Sequence, residues 1–178
     1  MLANPITYLV RKAGLSLRQF EIAYDFSHEG VMQAVVGAFQ SPPPRIKQAL
    51  FELLSEKGLD DAVLLDEEYG VDNLDEAYDQ WRLECRREIA DEVNRIDPGQ
   101  LVWDQHTTPA KAFCIAISGT VTGFAKAMKI PIATVRRWAD GKTEALPKSV
   151  EDALRSIEFP RIKELLEVQS IWFENWKM

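Results

Sequence analysis

The stretch Thr120-Val121-Thr122-Gly123-Phe124-Ala125-Lys126-Ala127-Met128-Lys129-Ile130-Pro131-Ile132-Ala133-Thr134-Val135-Arg136-Arg137-Trp138-Ala139-Asp140-Gly141-Lys142 decides how the rest of the chain is read. Thr120 is a hydroxyl helix cap, and the aromatic Phe124 follows four residues on, where a first helix turn faces inward. Ile130 supplies an apolar residue for a turn. Val135 and Trp138 then recur at a three-residue interval on a second short helix, which Gly141 closes. Between those anchors, Ile132, Ala133, Arg136 and Arg137 are left for the outer face.

The same pattern stands 104 positions earlier without a gap. Ser16 matches Thr120, Phe20 matches Phe124 and Ala23 matches Ala127. Phe26 matches Ile130, Val31 matches Val135, Ala34 matches Trp138 and Gly37 matches Gly141. Two helices joined by a tight turn, found twice, predict a repeated helix-turn-helix. Asn4-Pro5 and Thr108-Pro109 each open a preceding helix, and the prolines at 42–44 and at 147 each open a following one.

On these residues the chain resembles the phage-repressor type of helix-turn-helix family, the Cro/Xre-like regulators. Phe124-Ala125 stands where that family commonly has Leu-Ala, and Val135 with Trp138 fills its anchor positions. The likeness spans roughly residues 4–58 and 107–157. Both copies depart from the family at the turn, where Asp25 and Lys129 replace its usual glycine. The first copy also has Glu21 in place of a small residue. The resemblance implies a sequence-specific reader of double-stranded DNA, a transcriptional repressor acting by operator occupancy. Phage immunity repressors are its sharpest form.

In the second copy the family's docking mode gives Arg136 a bidentate contact to guanine and Arg137 a guanine or flanking phosphate. Ile132 or Ala133 would meet a thymine methyl, and Thr122, Thr134 and Lys142 would hold phosphates. In the first copy His28, Glu29, Met32 and Gln33 face outward: Gln33 suits adenine, Glu29 suits cytosine N4, and His28 a phosphate. Arg18, Arg45 and Lys47 would add backbone contacts nearby. Glu29 repels phosphate and that helix has no Lys or Arg, so a protein-binding or dimerisation surface stays open for it.

The formal net charge of -7 opposes nucleic-acid binding only until it is mapped. Residues 60–104 hold four Arg against fifteen acids, whereas residues 105–146 hold six Lys or Arg against two acids. The segment with the strongest motif is therefore basic, and the acidity belongs to the middle.

Strand alternation is nearly absent, so the expected fold class is all-α, with two small helix-turn-helix domains joined by a long amphipathic helix. The expected domains are 1–59, an acidic linker 60–104, and 105–178. Within the linker, Leu74, Tyr78, Trp81, Cys85, Ile89, Val93 and Ile96 recur at helical spacing and predict one helix over 74–96.

His28 and His106 lack metal-ligand neighbours, and Cys85 and Cys114 lack metal or redox spacing. A phosphate loop, dinucleotide fingerprint and nucleophilic triad are missing, so no catalytic residue, metal or cofactor is expected. No apolar run is long enough for a membrane span and none reads as a signal peptide. Cytoplasmic residence, in a bacterial or phage-infected cell, follows as an expectation. Double-stranded DNA is the expected partner, met by a monomer with two reading heads or by a homodimer. Two alternatives remain open: a protein-interaction module of antitoxin, anti-repressor or DNA-mimic type, and a DNA-binding accessory to replication or recombination.

Overall fold

The computed structural model describes residues 2–176. Among these the regular structure is entirely helical. The chain divides into two compact units, Met1–Glu84 and Cys85–Met178. No helix among the described residues is long and apolar enough to cross a membrane.

The first unit contains α1 (Pro5–Lys12), α2 (Leu17–Ala23), α3 (His28–Val35), α4 (Pro44–Glu56) and α5 (Asp61–Tyr69). α6 (Leu74–Glu88) begins in this unit and crosses the division. The second unit continues with α7 (Ala90–Asn94), a 3-10 turn (Pro98–Gln100), α8 (Pro109–Ser118), α9 (Val121–Ala127), α10 (Ile132–Ala139), α11 (Lys148–Ser156) and α12 (Ile162–Trp176).

The repeat in the sequence is a repeat in the backbone. α2 and α9 begin and end at equivalent residues, as do α3 and α10, and α1 and α4 start where α8 and α11 start. The caps agree. Ser16 accepts the Gln19 amide at 3.2 Å while Gln19 answers to the Ser16 amide at 2.8 Å, a complete capping box. Thr120 accepts the Gly123 amide at 2.8 Å. Glycine is required at 123, since a Cβ there would lie 2.8 Å from the Ser118 carbonyl oxygen.

One side chain in each unit makes a further bond over a long sequence distance. Asn4 caps α1 through Oδ1, taking the Ile6 amide at 2.9 Å, and its Nδ2 donates to the Val35 carbonyl at 3.1 Å. Thr108 caps α8 by accepting the Lys111 amide at 2.9 Å, and its hydroxyl donates to the Ala139 carbonyl at 2.6 Å. Val35 and Ala139 are themselves equivalent residues, the last of α3 and of α10. Each bond satisfies a carbonyl that the helix end leaves unpaired.

Beneath these ties lie two separate cores. Phe20, Leu9, Val31, Ala34 and Leu50 are fully buried in the first unit. Phe113, Phe124, Met128, Val135 and Trp138 are central to the second. The anchors expected from the pattern are therefore inside. Cys114 is buried, which pushes its thiol pKa up, and Cys85 is half-buried.

The middle of the chain differs from expectation in two ways. The segment 60–104 is not a linker of its own. Its first part joins the first unit, where Tyr69 donates to the Ala3 carbonyl at 2.8 Å and Tyr78 to the Ala34 carbonyl at 2.6 Å. Its second part joins the second, with Val93 in the core and Asn94 donating to the Ile157 carbonyl at 3.2 Å. The helix expected over 74–96 is also broken: α6 ends at Glu88, Ile89 leaves helical geometry (φ -107, ψ 5), and α7 restarts. Ile89 and Ile96 pack on the second core, so docking has overridden the continuous apolar stripe.

The α9–α10 turn places Lys129 at φ 54, and the α2–α3 turn places Asp25 at φ 53. A left-handed conformation costs an L-residue with a side chain roughly 1–2 kcal/mol, partly offset by the greater chain entropy glycine loses on folding. Lys129→Gly should accordingly stabilise the second unit by about 0.5–1 kcal/mol in urea denaturation. A loss of stability would contradict the left-handed turn.

Candidate nucleic-acid interface

In the second unit Val135 and Trp138 point into the core and fix which side of α10 faces out. Ala133, Arg136 and Arg137 are exposed at the i, i+3 and i+4 positions of that outer side, and Lys142 is exposed just beyond the helix. Arg136 Nη2 donates to Thr122 Oγ1 at 3.2 Å, joining the outer face of α10 to the start of α9. Thr134 is half-buried, and it shares with Arg137 and Thr143 a depression of about 250 Å³ at the start of α11. Ile132 is also half-buried and packs on the core, so its side chain offers less outer surface than the pattern implied.

Two residues position this face from a distance. Arg86 Nε donates to the Met128 carbonyl at 2.7 Å, and its Nη2 to the Lys129 carbonyl at 3.4 Å, gripping the α9–α10 turn. Trp172 Nε1 donates to the Asp104 carbonyl at 2.7 Å, and the ring lies where any Cβ at position 141 would be, 2.8 Å from it. Gly141 is thus needed both for its φ of 63 and for the close approach of Trp172. Sequence inspection gave no signal for Arg86, whose partners lie more than forty residues away. Of the two tryptophans of α12, Trp172 is buried, whereas Trp176 is 45% exposed and meets Trp103 edge-on at 5.6 Å.

The corresponding face of the first unit has different chemistry. His28, Glu29 and Gln33 are exposed on α3 and Met32 is half-buried. Gln33 donates to Glu29 at 3.3 Å, so the two polar ends are already engaged with each other. Arg45 lies over the Phe26 ring at 5.5 Å, and Lys47 is ion-paired with Asp75 at 2.6 Å. Lys47 is thus engaged within the unit, whereas Arg45 rests on a ring and makes no ion pair among the described residues.

Glu21 explains much of this. Its side chain is 1% exposed, yet both carboxylate oxygens are satisfied: Arg18 donates to Oε2 at 3.0 Å and the His28 ring lies 2.9 Å from Oε1. The cluster links α2 to the first residue of α3. In the second unit the equivalent residues are Thr122, Ala125 and Ile132, which cannot form it. Burial pushes the Glu21 carboxyl up, but the hydrogen bonds and charges of Arg18 and His28 outweigh it, leaving its pKa below the ordinary 4.5. No metal-binding group of three or more His, Cys, Asp or Glu side chains occurs among the described residues.

Because the native carboxyl is the stronger acid, its contribution to stability is complete above pH 4.5 and is lost as pH falls through the lowered native value. Wild-type protein should therefore lose more stability between pH 6 and pH 3 than Glu21→Gln, as read from urea midpoints of the first unit. Equal losses would show that the buried cluster does not stabilise the charged carboxylate. No family model, no curated protein and no solved structure matches the chain.

Proposed function

We propose that the chain is a sequence-specific double-stranded DNA-binding protein, built on two helix-turn-helix units, in which α10 is the reading helix. The observation that carries this is the outer face of α10: Arg136 and Arg137 exposed over a buried Val135–Trp138 anchor, with Thr122 holding Arg136 at 3.2 Å. A guanidinium on a rigid helix, restrained by a neutral hydroxyl, keeps its charge and its remaining donors for a base edge or phosphate.

The division of labour follows from position. Arg136, with Ala133 beside it, is assigned to base edges in the major groove. Arg137, Thr134 and Lys142 flank it and are assigned to the phosphate backbone, with Thr122 at the start of α9 both steadying Arg136 and lying near that backbone. The local excess of basic residues over 105–146 supports the assignment, because phosphate neutralisation supplies most non-specific affinity. The action is occupancy of an operator in the manner of phage-type repressors in the cytoplasm, with no bond made or broken by the protein.

Selection from a random duplex library at about 150 mM salt, where non-specific binding is weakened, tests this. The wild-type chain should enrich one motif and Arg136→Ala/Arg137→Ala should not. Singly, Arg136→Ala should cost about 1–3 kcal/mol and relax preference at one position. Lys142→Ala should weaken all sequences alike and reduce the salt slope by about 1. Failure of the wild-type chain to enrich any motif would overturn the reading.

A further inference from the structure

The two units carry a depression at the same place in the repeat, more apolar in the first unit than in the second. In the second unit it lies between α10 and the start of α11 and shows Thr134, Arg137 and Thr143. In the first it lies between α3 and the start of α4, with a volume of about 200 Å³. Gly30 and Phe39 occupy the places of Thr134 and Thr143, and Phe26, Val31 and Ile46 line the wall together with Ser27, Pro43 and Arg45. Hydroxyls have given way to aromatic and aliphatic surface. An apolar side chain entering there would gain about 25 cal/mol per Å² buried, with Arg45 at the edge to meet an anionic group.

This depression continues along α4. It shares Phe26 and Arg45 with a second one, and the second shares Tyr24 with a third that reaches Leu53 and Lys57. The shared residues make one groove beside residues 45–57, about 18 Å long at a helical rise of ~1.5 Å per residue. Along it the rings of Tyr24 and Phe26 stack at 6.4 Å, and both rest against Phe20. A small aromatic acid would fill one depression. The length of the groove fits a peptide segment.

Its rim is charged in a defined order. Arg45 stands at one end, and it makes no ion pair among the described residues. Glu52 and Glu56 stand toward the other, with Lys57 at the tip, and neither carboxylate is ion-paired among the described residues. After burial, the charges of Glu56 and Glu52 are what raise the Tyr24 hydroxyl pKa, placing both carboxylates beside the groove floor.

We propose that this groove docks an amphipathic helical segment of a protein partner. The segment seats an apolar side chain between Phe26 and Phe39, and it carries a carboxylate toward Arg45 and a cation toward Glu52 and Glu56. Apolar anchors at i, i+3 or i+4 and i+7 are the spacing such a groove selects. The first unit is then a docking unit and the second a reading unit, an assignment that does not depend on the DNA reading because every residue involved lies before Lys57 or at it.

A displayed library of random 16-residue peptides, selected against the intact chain, tests the proposal. Enriched sequences should share the apolar spacing, with an acid near one end and a base near the other. The best peptide, measured by fluorescence anisotropy, should bind Arg45→Glu/Glu52→Lys/Glu56→Lys at least tenfold more weakly. A peptide with its two charges exchanged should recover the loss on that variant, which a merely misfolded variant would not allow. Three results overturn the proposal: enriched peptides without this pattern, affinity indifferent to the charge reversal, or saturable binding of benzoate or octanoate with no peptide enrichment, the mark of a small-ligand pocket.

Discussion

In each copy of the repeat one polar side chain starts the first helix and holds the end of the third. Asn4 reaches the Val35 carbonyl and Thr108 reaches the Ala139 carbonyl, with different side-chain chemistry at the same place. The tie fixes the short third helix at the end where no further turn would hold it. Helices of eight residues are marginal alone, so such a helix presents a definite face only because its neighbours fasten it. In the second unit the Val135 and Trp138 anchors, the Arg86 grip on the preceding turn and the Thr108 bond together leave the guanidinium face of α10 little freedom. A burial cost remains even there, since Trp138 Nε1 is enclosed without a hydrogen-bond partner among the described residues.

The local devices were readable from sequence because they act within a few residues. Asn4-Pro5, the hydroxyl caps Ser16 and Thr120, Thr108-Pro109 and the glycines at 37 and 141 all lie at the helix ends they predict. The anchors Phe124, Val135 and Trp138 were readable for the same reason: helical periodicity is a local property. What distant packing decides was not readable. The break at Ile89 interrupts a stripe that continues in sequence, and the second bond of Asn4 reaches thirty-one residues ahead. Glu21 stood out as a misfit, but its satisfaction by Arg18 and His28 depends on how α2 meets α3.

One backbone thus supports two surfaces. Where Ala125 allows α9 and α10 to approach with nothing between them to neutralise, Glu21 in the first unit needs two cationic or ring partners and draws Arg18 and His28 into service. Thr143 in one depression corresponds to Phe39 in the other, and Arg136 to Met32. These exchanges leave the bounds of α2 and α3 the same as those of α9 and α10, as expected where core anchors and caps specify the fold and the outer residues are free to set function. The proposed DNA reading is assigned to the α10 face of the second unit and not to the α3 face of the first.

The most direct test is backbone amide chemical-shift mapping of the intact chain against the duplex pool that survives selection. Shifts should concentrate at residues 121–143, with Ala133, Arg136 and Arg137 foremost, and with little change at residues 28–35. Shifts centred on residues 28–35, or none at 132–137, would contradict it.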